Sequence, residues 1–113
     1  MKTYKGSCHC GAVQYEVDTD LARVIDCNCS HCHMKGLVLN FVDQEKFRLT
    51  KGEDQLTSYQ FNTKGIDHLF CKNCGTQSFA KGITFPQVGI NVRCLEGVDI
   101  SKLTLEHYNG KDI

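Results

Sequence analysis

Seven of the eight cysteines lie in three tight clusters: Cys8 and Cys10 in S-C-H-C, Cys27, Cys29 and Cys32 in C-N-C-S-H-C, and Cys71 and Cys74 in F-C-K-N-C-G. Thiolates at these spacings are zinc ligands by type and by reach. A single residue separates Cys8 from Cys10, and likewise Cys27 from Cys29, which strains an internal disulfide and suits two sulfurs gripping one ion. Two pairs supply the four thiolates of a closed site. A triplet leaves one corner of the tetrahedron open, and an open zinc can act as a Lewis acid. The expectation is two zinc ions per chain, one structural and one catalytic.

Cys8 and Cys10 stand just before an expected strand, Ala12 to Val17, and Cys71 and Cys74 stand just after another, His68 to Phe70. Joining these pairs staples two distant parts of the chain. Cys71-Lys72-Asn73-Cys74-Gly75 has the form of a zinc-ribbon knuckle, with Gly75 relieving the tight turn. The triplet Cys27, Cys29 and Cys32 is then the functional candidate, with three sulfurs converging from a strand end that folds into a turn. A substrate thiol in the fourth position would be held as thiolate at neutral pH. Alternatively His31, His33 or Cys94 completes the tetrahedron and makes this site structural too. Blander roles suit the other candidates: His9 points outward, His68 is a satisfied sheet histidine, and Cys94 is a small apolar residue beside Leu95. Asn28 and Ser30 are placed to hydrogen-bond the thiolates.

The elements that must position these groups are short strands. Val13, Tyr15 and Val17 alternate with Gln14 and Glu16. Similar β readings cover 23–28, 38–42, 47–50, 56–61, 68–70, 76–79, 88–92 and 104–108, punctuated by Lys51-Gly52, Lys64-Gly65, Lys81-Gly82 and Asn109-Gly110. A turn of helix fits within Leu95 to Leu103, and no long 3.6-residue period exists. Phe41, Phe47, Tyr59, Phe61, Phe70 and Phe79 read as core positions. The fold class is all-β, several small antiparallel sheets in one domain spanning residues 1–113 and stapled by a structural zinc.

Eight cysteines in 113 residues would also suit a secreted disulfide scaffold. The stretch MKTYKGSCHCGAV carries no apolar export segment, so a reducing, cytoplasmic setting is expected. No apolar run approaches the roughly 20 residues of a membrane helix. Thirteen basic residues balance thirteen acidic ones without a Lys/Arg cluster, so no footprint for nucleic acid is present. Seven metal-bound thiolates would leave a small net negative charge. A domain of this size buries limited surface, and a structural zinc contributing on the order of 10 kcal/mol compensates.

Taken together, S-C-H-C-G-A-V, C-N-C-S-H-C and F-C-K-N-C-G, with Gly89 to Arg93 and Tyr108 to Asp112, resemble the glutathione-dependent formaldehyde-activating enzyme family, which also contains centromere protein V. The resemblance covers nearly the whole chain. It implies a β-tent fold related to a zinc-containing guanine-nucleotide-exchange chaperone. It matches Cys8, Cys10, Cys71 and Cys74 to the structural zinc and Cys27, Cys29 and Cys32 to the catalytic one. It implies a carbon–sulfur lyase joining the thiol of glutathione to formaldehyde to give S-hydroxymethylglutathione, with a small thiol as partner. Two other functions fit the same cysteines: a non-catalytic interaction or chaperone-like module with both zincs structural, and a regulator whose triplet thiolates respond to oxidation.

Overall fold

The computed structural model describes residues 1–27, 30–60 and 65–108. Ten strands carry the fold: β1 (Lys2–Ser7), β2 (Gln14–Thr19), β3 (Val24–Cys27), β4 (Val38–Asp43), β5 (Phe47–Lys51), β6 (Leu56–Tyr59), β7 (Ile66–Cys71), β8 (Phe79–Gly82), β9 (Gln87–Asn91) and β10 (Leu105–Tyr108). One short helix, α1 (Ser30–Lys35), lies between β3 and β4. The first sheet runs β1-β2-β5 and the second β10-β3-β4-β9-β8-β7-β6. Every pairing is antiparallel except that of β10 with β3, where Leu105 faces Val24.

The alternation in the sequence becomes the core. In β2, Tyr15, Val17 and Thr19 point inward while Gln14 faces solvent and Glu16 and Asp18 are part-exposed, as a strand with one buried face requires. Tyr15 in the first sheet packs against Phe79 in the second at a centroid distance of 5.6 Å, and Phe47 closes the trio at 5.4 Å from Tyr15 and 4.6 Å from Phe79. Offset and edge contacts of this kind add to the area that the rings bury. Two buried polar ties join the same sheets: the Tyr15 hydroxyl donates to the Ser78 carbonyl at 3.4 Å, and the Thr19 hydroxyl donates to Asn40 Oδ1 at 2.8 Å. The core therefore sits between the sheets, built from Val13, Tyr15, Val17, Phe47, Phe79, Val88, Ile90 and Val92 among others.

Several expectations are corrected. Residues 76–78 are not strand; they wrap the second knuckle, where the Cys71 N–H donates to the Thr76 carbonyl, and β8 begins at Phe79. β1 went unread because its only large apolar residue is Tyr4 and the rest is polar, as on an edge strand. The helical turn within Leu95 to Leu103 shrinks to a 3-10 turn, Ile100–Lys102, with Asp99 accepting from the Ser101 N–H. Phe41 and Tyr59 are 37% and 51% exposed and so leave the core; Phe61 lies outside the described residues. No described helix is long and apolar enough to cross a membrane.

Candidate metal centre and the site beside it

Cys8 and Cys10 belong to the loop between β1 and β2, whereas Cys71 ends β7 and Cys74 lies in the turn after it. Each pair forms a knuckle. The Gly11 N–H donates to the Cys8 carbonyl and the Gly75 N–H to the Cys71 carbonyl. Both glycines take the left-handed conformation, φ +79° in each case, which a Cβ would strain. The glycine behind each second cysteine thus turns the chain so that the sulfurs converge.

They converge closely. Cys8 Sγ lies 3.6 Å from Cys10 Sγ, and Cys10 Sγ lies 3.7 Å from Cys71 Sγ. The four sulfurs all lie within 4.8 Å of one another. A tetrahedral zinc with Zn–S bonds of about 2.3 Å requires sulfurs about 3.8 Å apart, so this cluster fits the ion. The Val13 N–H also points at Cys8 Sγ, at 3.3 Å, a contact that favours thiolate. The thiols differ in acidity. Burial pushes Cys8 up to about 11, whereas the Thr76 side chain, helped by backbone N–H groups of Thr76 and Cys10, brings Cys74 down to about 5. A cation among the four sulfurs would favour the thiolate form of each.

Cys27 and Cys32 of the triplet lie elsewhere. Cys27, at the end of β3, and Cys32, in α1, are 9% and 6% exposed and share a second apolar cluster with Ile25, Leu37 and Leu39. Cys29 and Asn28 lie outside the described residues. Cys94 packs instead against the main core within electrostatic reach of Cys74, its Sγ beside the Asn91 amide at 3.6 Å. His33 and His9 are exposed.

Where the sequence suggested a plain turn after Cys29, the chain makes the helix α1, and its end is specified locally. The Gly36 N–H donates to the His33 carbonyl and the Leu37 N–H to the Cys32 carbonyl, with Gly36 at φ +67°. This is the Schellman arrangement, completed by the apolar contact of Leu37 with Cys32. The glycine following Lys35 was the signal available in the sequence. Along α1 Cys32 faces the apolar cluster it shares with Leu37, and His31 and Lys35, four residues apart, form the adjoining face, Lys35 lying one turn on from Cys32.

That second face meets β6 and β7. The His31 ring packs 4.1 Å from His68 and stacks at 5.7 Å on Tyr59. Lys35 Nζ donates to Gln77 Oε1 at 3.1 Å and rests 4.7 Å above the Phe70 ring. An ammonium only donates, so the Gln77 amide must turn its NH2 toward His68 Nδ1, 3.4 Å away, and His68 carries its proton on Nε2. Burial, with His31 and Lys35 nearby, lowers His68 to about 4, and burial lowers His31 and Lys35 as well. At neutral pH His68 is therefore an uncharged imidazole. The expected sheet histidine is confirmed, but Gln77 and Lys35 were not anticipated, since neither residue type is diagnostic. A surface hollow of about 280 Å³ lined by Asp18, Asp20, Arg23 and Phe41 contains none of these groups.

Residues 3–109 match the family described as glutathione-dependent formaldehyde-activating enzyme. Among solved structures, the chain is similar to the crystal structure of a Rhodobacter sphaeroides protein, with 35% sequence identity, a TM-score of 0.84, and coverage of 93% of this chain and 99% of that one.

Proposed function

Since the chain belongs to the glutathione-dependent formaldehyde-activating enzyme family, we propose that it is a carbon–sulfur lyase joining a small thiol to an aldehyde, with glutathione and formaldehyde giving S-hydroxymethylglutathione. Cys8, Cys10, Cys71 and Cys74 hold a structural zinc, and Cys27, Cys29 and Cys32 hold a second, catalytic one. The observation that carries this reading is the segregation of the cysteines. Four complete a tetrahedral set by themselves, and Cys27 and Cys32 are set apart in their own apolar cluster.

In the reaction the thiol S–H bond breaks, a C–S bond forms at the aldehyde carbon, and the proton ends on the former carbonyl oxygen. Cys27, Cys29 and Cys32 would hold a zinc that, when bound, would keep a thiol ionised at neutral pH. The chain supplies the rest. Ile25, Leu37 and Leu39 around Cys27 and Cys32 exclude water, which strengthens every charge interaction at the site. The capped C-terminus of helix α1 anchors the Cys32 carbonyl, so the backbone that carries the third sulfur is fixed by hydrogen bonds. Fixing both reactants turns a bimolecular addition into an effectively unimolecular one.

The test is zinc content, melting temperature and adduct formation, followed by NMR with 13C-formaldehyde, in Cys29→Ser and Cys71→Ser. The expectation is two zincs in the wild type, one zinc and no catalysed adduct but a retained fold in Cys29→Ser, and collapse of the fold in Cys71→Ser. Equal unfolding in the two variants would make the triplet structural and end the proposal.

A further inference from the structure

Lys35 is placed unlike an ordinary surface lysine. Its ammonium is fixed from two sides, by Gln77 Oε1 and by the face of Phe70. Gln77 is itself only 4% exposed and braced by His68, which is 6% exposed. The rotamer freedom a lysine normally keeps is largely spent in the folded state. Yet among the described residues no carboxylate pairs with it: the ion pairs there are Arg23 with Glu106, Arg48 with Glu16 and Asp18, and His107 with Asp26. One of its three N–H donors serves Gln77, and the others are available to a ligand.

The location gives this cation a use. Lys35 follows Cys32 by three residues on α1, a spacing that places side chains about 5–6 Å apart at Cβ. A thiol substrate bound beside Cys32 would therefore have this cation within about one helical turn. Resting on the function proposed above, we infer that Lys35, held by Gln77 over Phe70, is the docking point for a carboxylate of the thiol substrate. The substrate class is an anionic, peptide-like thiol, of which glutathione with its two carboxylates is the probe to use. The neutral His68 suits this arrangement. Its uncharged ring holds Gln77 without competing with Lys35 for the anion.

The experiment compares glutathione with glutathione diethyl ester on the zinc-loaded full chain, by calorimetric binding and by steady-state kinetics with formaldehyde. Lys35→Met keeps the aliphatic stem and removes the charge; Lys35→Arg keeps the charge. We expect the wild type to prefer the acid, and Lys35→Met to bind glutathione about tenfold more weakly, a loss typical of one charge-assisted contact. KM should rise with kcat little changed, the ester should be unaffected, and Lys35→Arg should restore most of the preference. Equal binding of acid and ester by the wild type, absence of glutathione binding, or unchanged binding in Lys35→Met would each overturn the inference. The two proposals fail separately. Unselective turnover of acid and ester sinks the docking point and leaves the reaction, whereas Lys35-dependent binding without adduct formation sinks the reaction and leaves the docking point.

Discussion

Replacing Cys10 and Cys74 together by serine tests whether a metal at the four-thiol cluster holds the fold together. The pair is chosen because Cys10 is exposed and Cys74 only partly buried, while Cys8 and Cys71 belong to the core. Removing their sulfurs costs little packing, and substitutions at such positions ordinarily change stability by about 0.5 kcal/mol or less. A metal link would be different. It would join positions 61 residues apart, Cys10 and Cys71, and closing a loop of that length would remove about 4 kcal/mol of chain entropy from the unfolded state. A domain of this kind has a net stability of about 5–15 kcal/mol, so such a link would account for a large share.

At about 4 °C per kcal/mol for a domain near this size, the double variant should melt about 15 °C below the zinc-loaded wild type. The assay is thermal unfolding by circular dichroism, with zinc measured on the same samples. Repeating it after chelation closes a cycle: once the metal is gone the variant and the wild type should agree within about 1 kcal/mol, because only the metal makes those two sulfurs matter. Any loss of the second zinc is common to both chains and cancels. A variant within about 3 °C of the loaded wild type, or an equal deficit with and without zinc, would refute the reasoning.

Two further outcomes are expected. Gly6 in β1 leaves room for the ring of Tyr15, which a Cβ there would overlap; with Tyr15 wedged between Phe47 and Phe79, Gly6→Ala should cost about 1–3 kcal/mol in urea unfolding, and a neutral result would mean that the Tyr15 ring moves aside freely. His68, lowered from 6.5 to about 4 by burial and by His31 and Lys35, stays neutral in the folded state while the unfolded chain takes up a proton. Its contribution to stability is therefore complete above pH 6.5 and falls away as pH drops toward 4. NMR titration of its ring should show no midpoint near 6.5, and His68→Gln should lose less stability than the wild type across that window; a midpoint near 6.5 would contradict the burial argument.

Much of this molecule was legible because cysteine spacing carries its own chemistry. The knuckles at Cys8 and Cys71 follow from the glycines at 11 and 75, and the strand pattern around Tyr15 and Val17 follows from strict alternation. Short elements were harder. Helix α1 has six residues, too few for a 3.6-residue period to show, and its true marker was the single glycine that ends it. Residues 76–78 read as strand with Phe79, but Gln77 and Ser78 are buried in a turn whose carbonyls are held by Cys71 and Asn91 and not by a strand partner.

The least legible part is the one that would choose the substrate. Lys35 comes from α1, Phe70 and His68 from β7, and Gln77 from the loop before β8. Up to 42 residues separate the hydrogen-bonded pair Lys35 and Gln77, and each of these residue types is at home on any protein surface. Their meaning arises from three contacts that only the folded topology creates: an ammonium fixed by an amide, the amide fixed by a neutral imidazole, and a ring beneath the charge. A metal site must bring ligands of a few types within bonding distance of one ion, which constrains local spacing and leaves a mark in the sequence. A recognition site needs only direction and charge, which the sheets can deliver from anywhere along the chain. If Lys35 docks the substrate as inferred, changes at positions such as 35 and 77 would alter the thiol accepted without any change in the cysteine motifs.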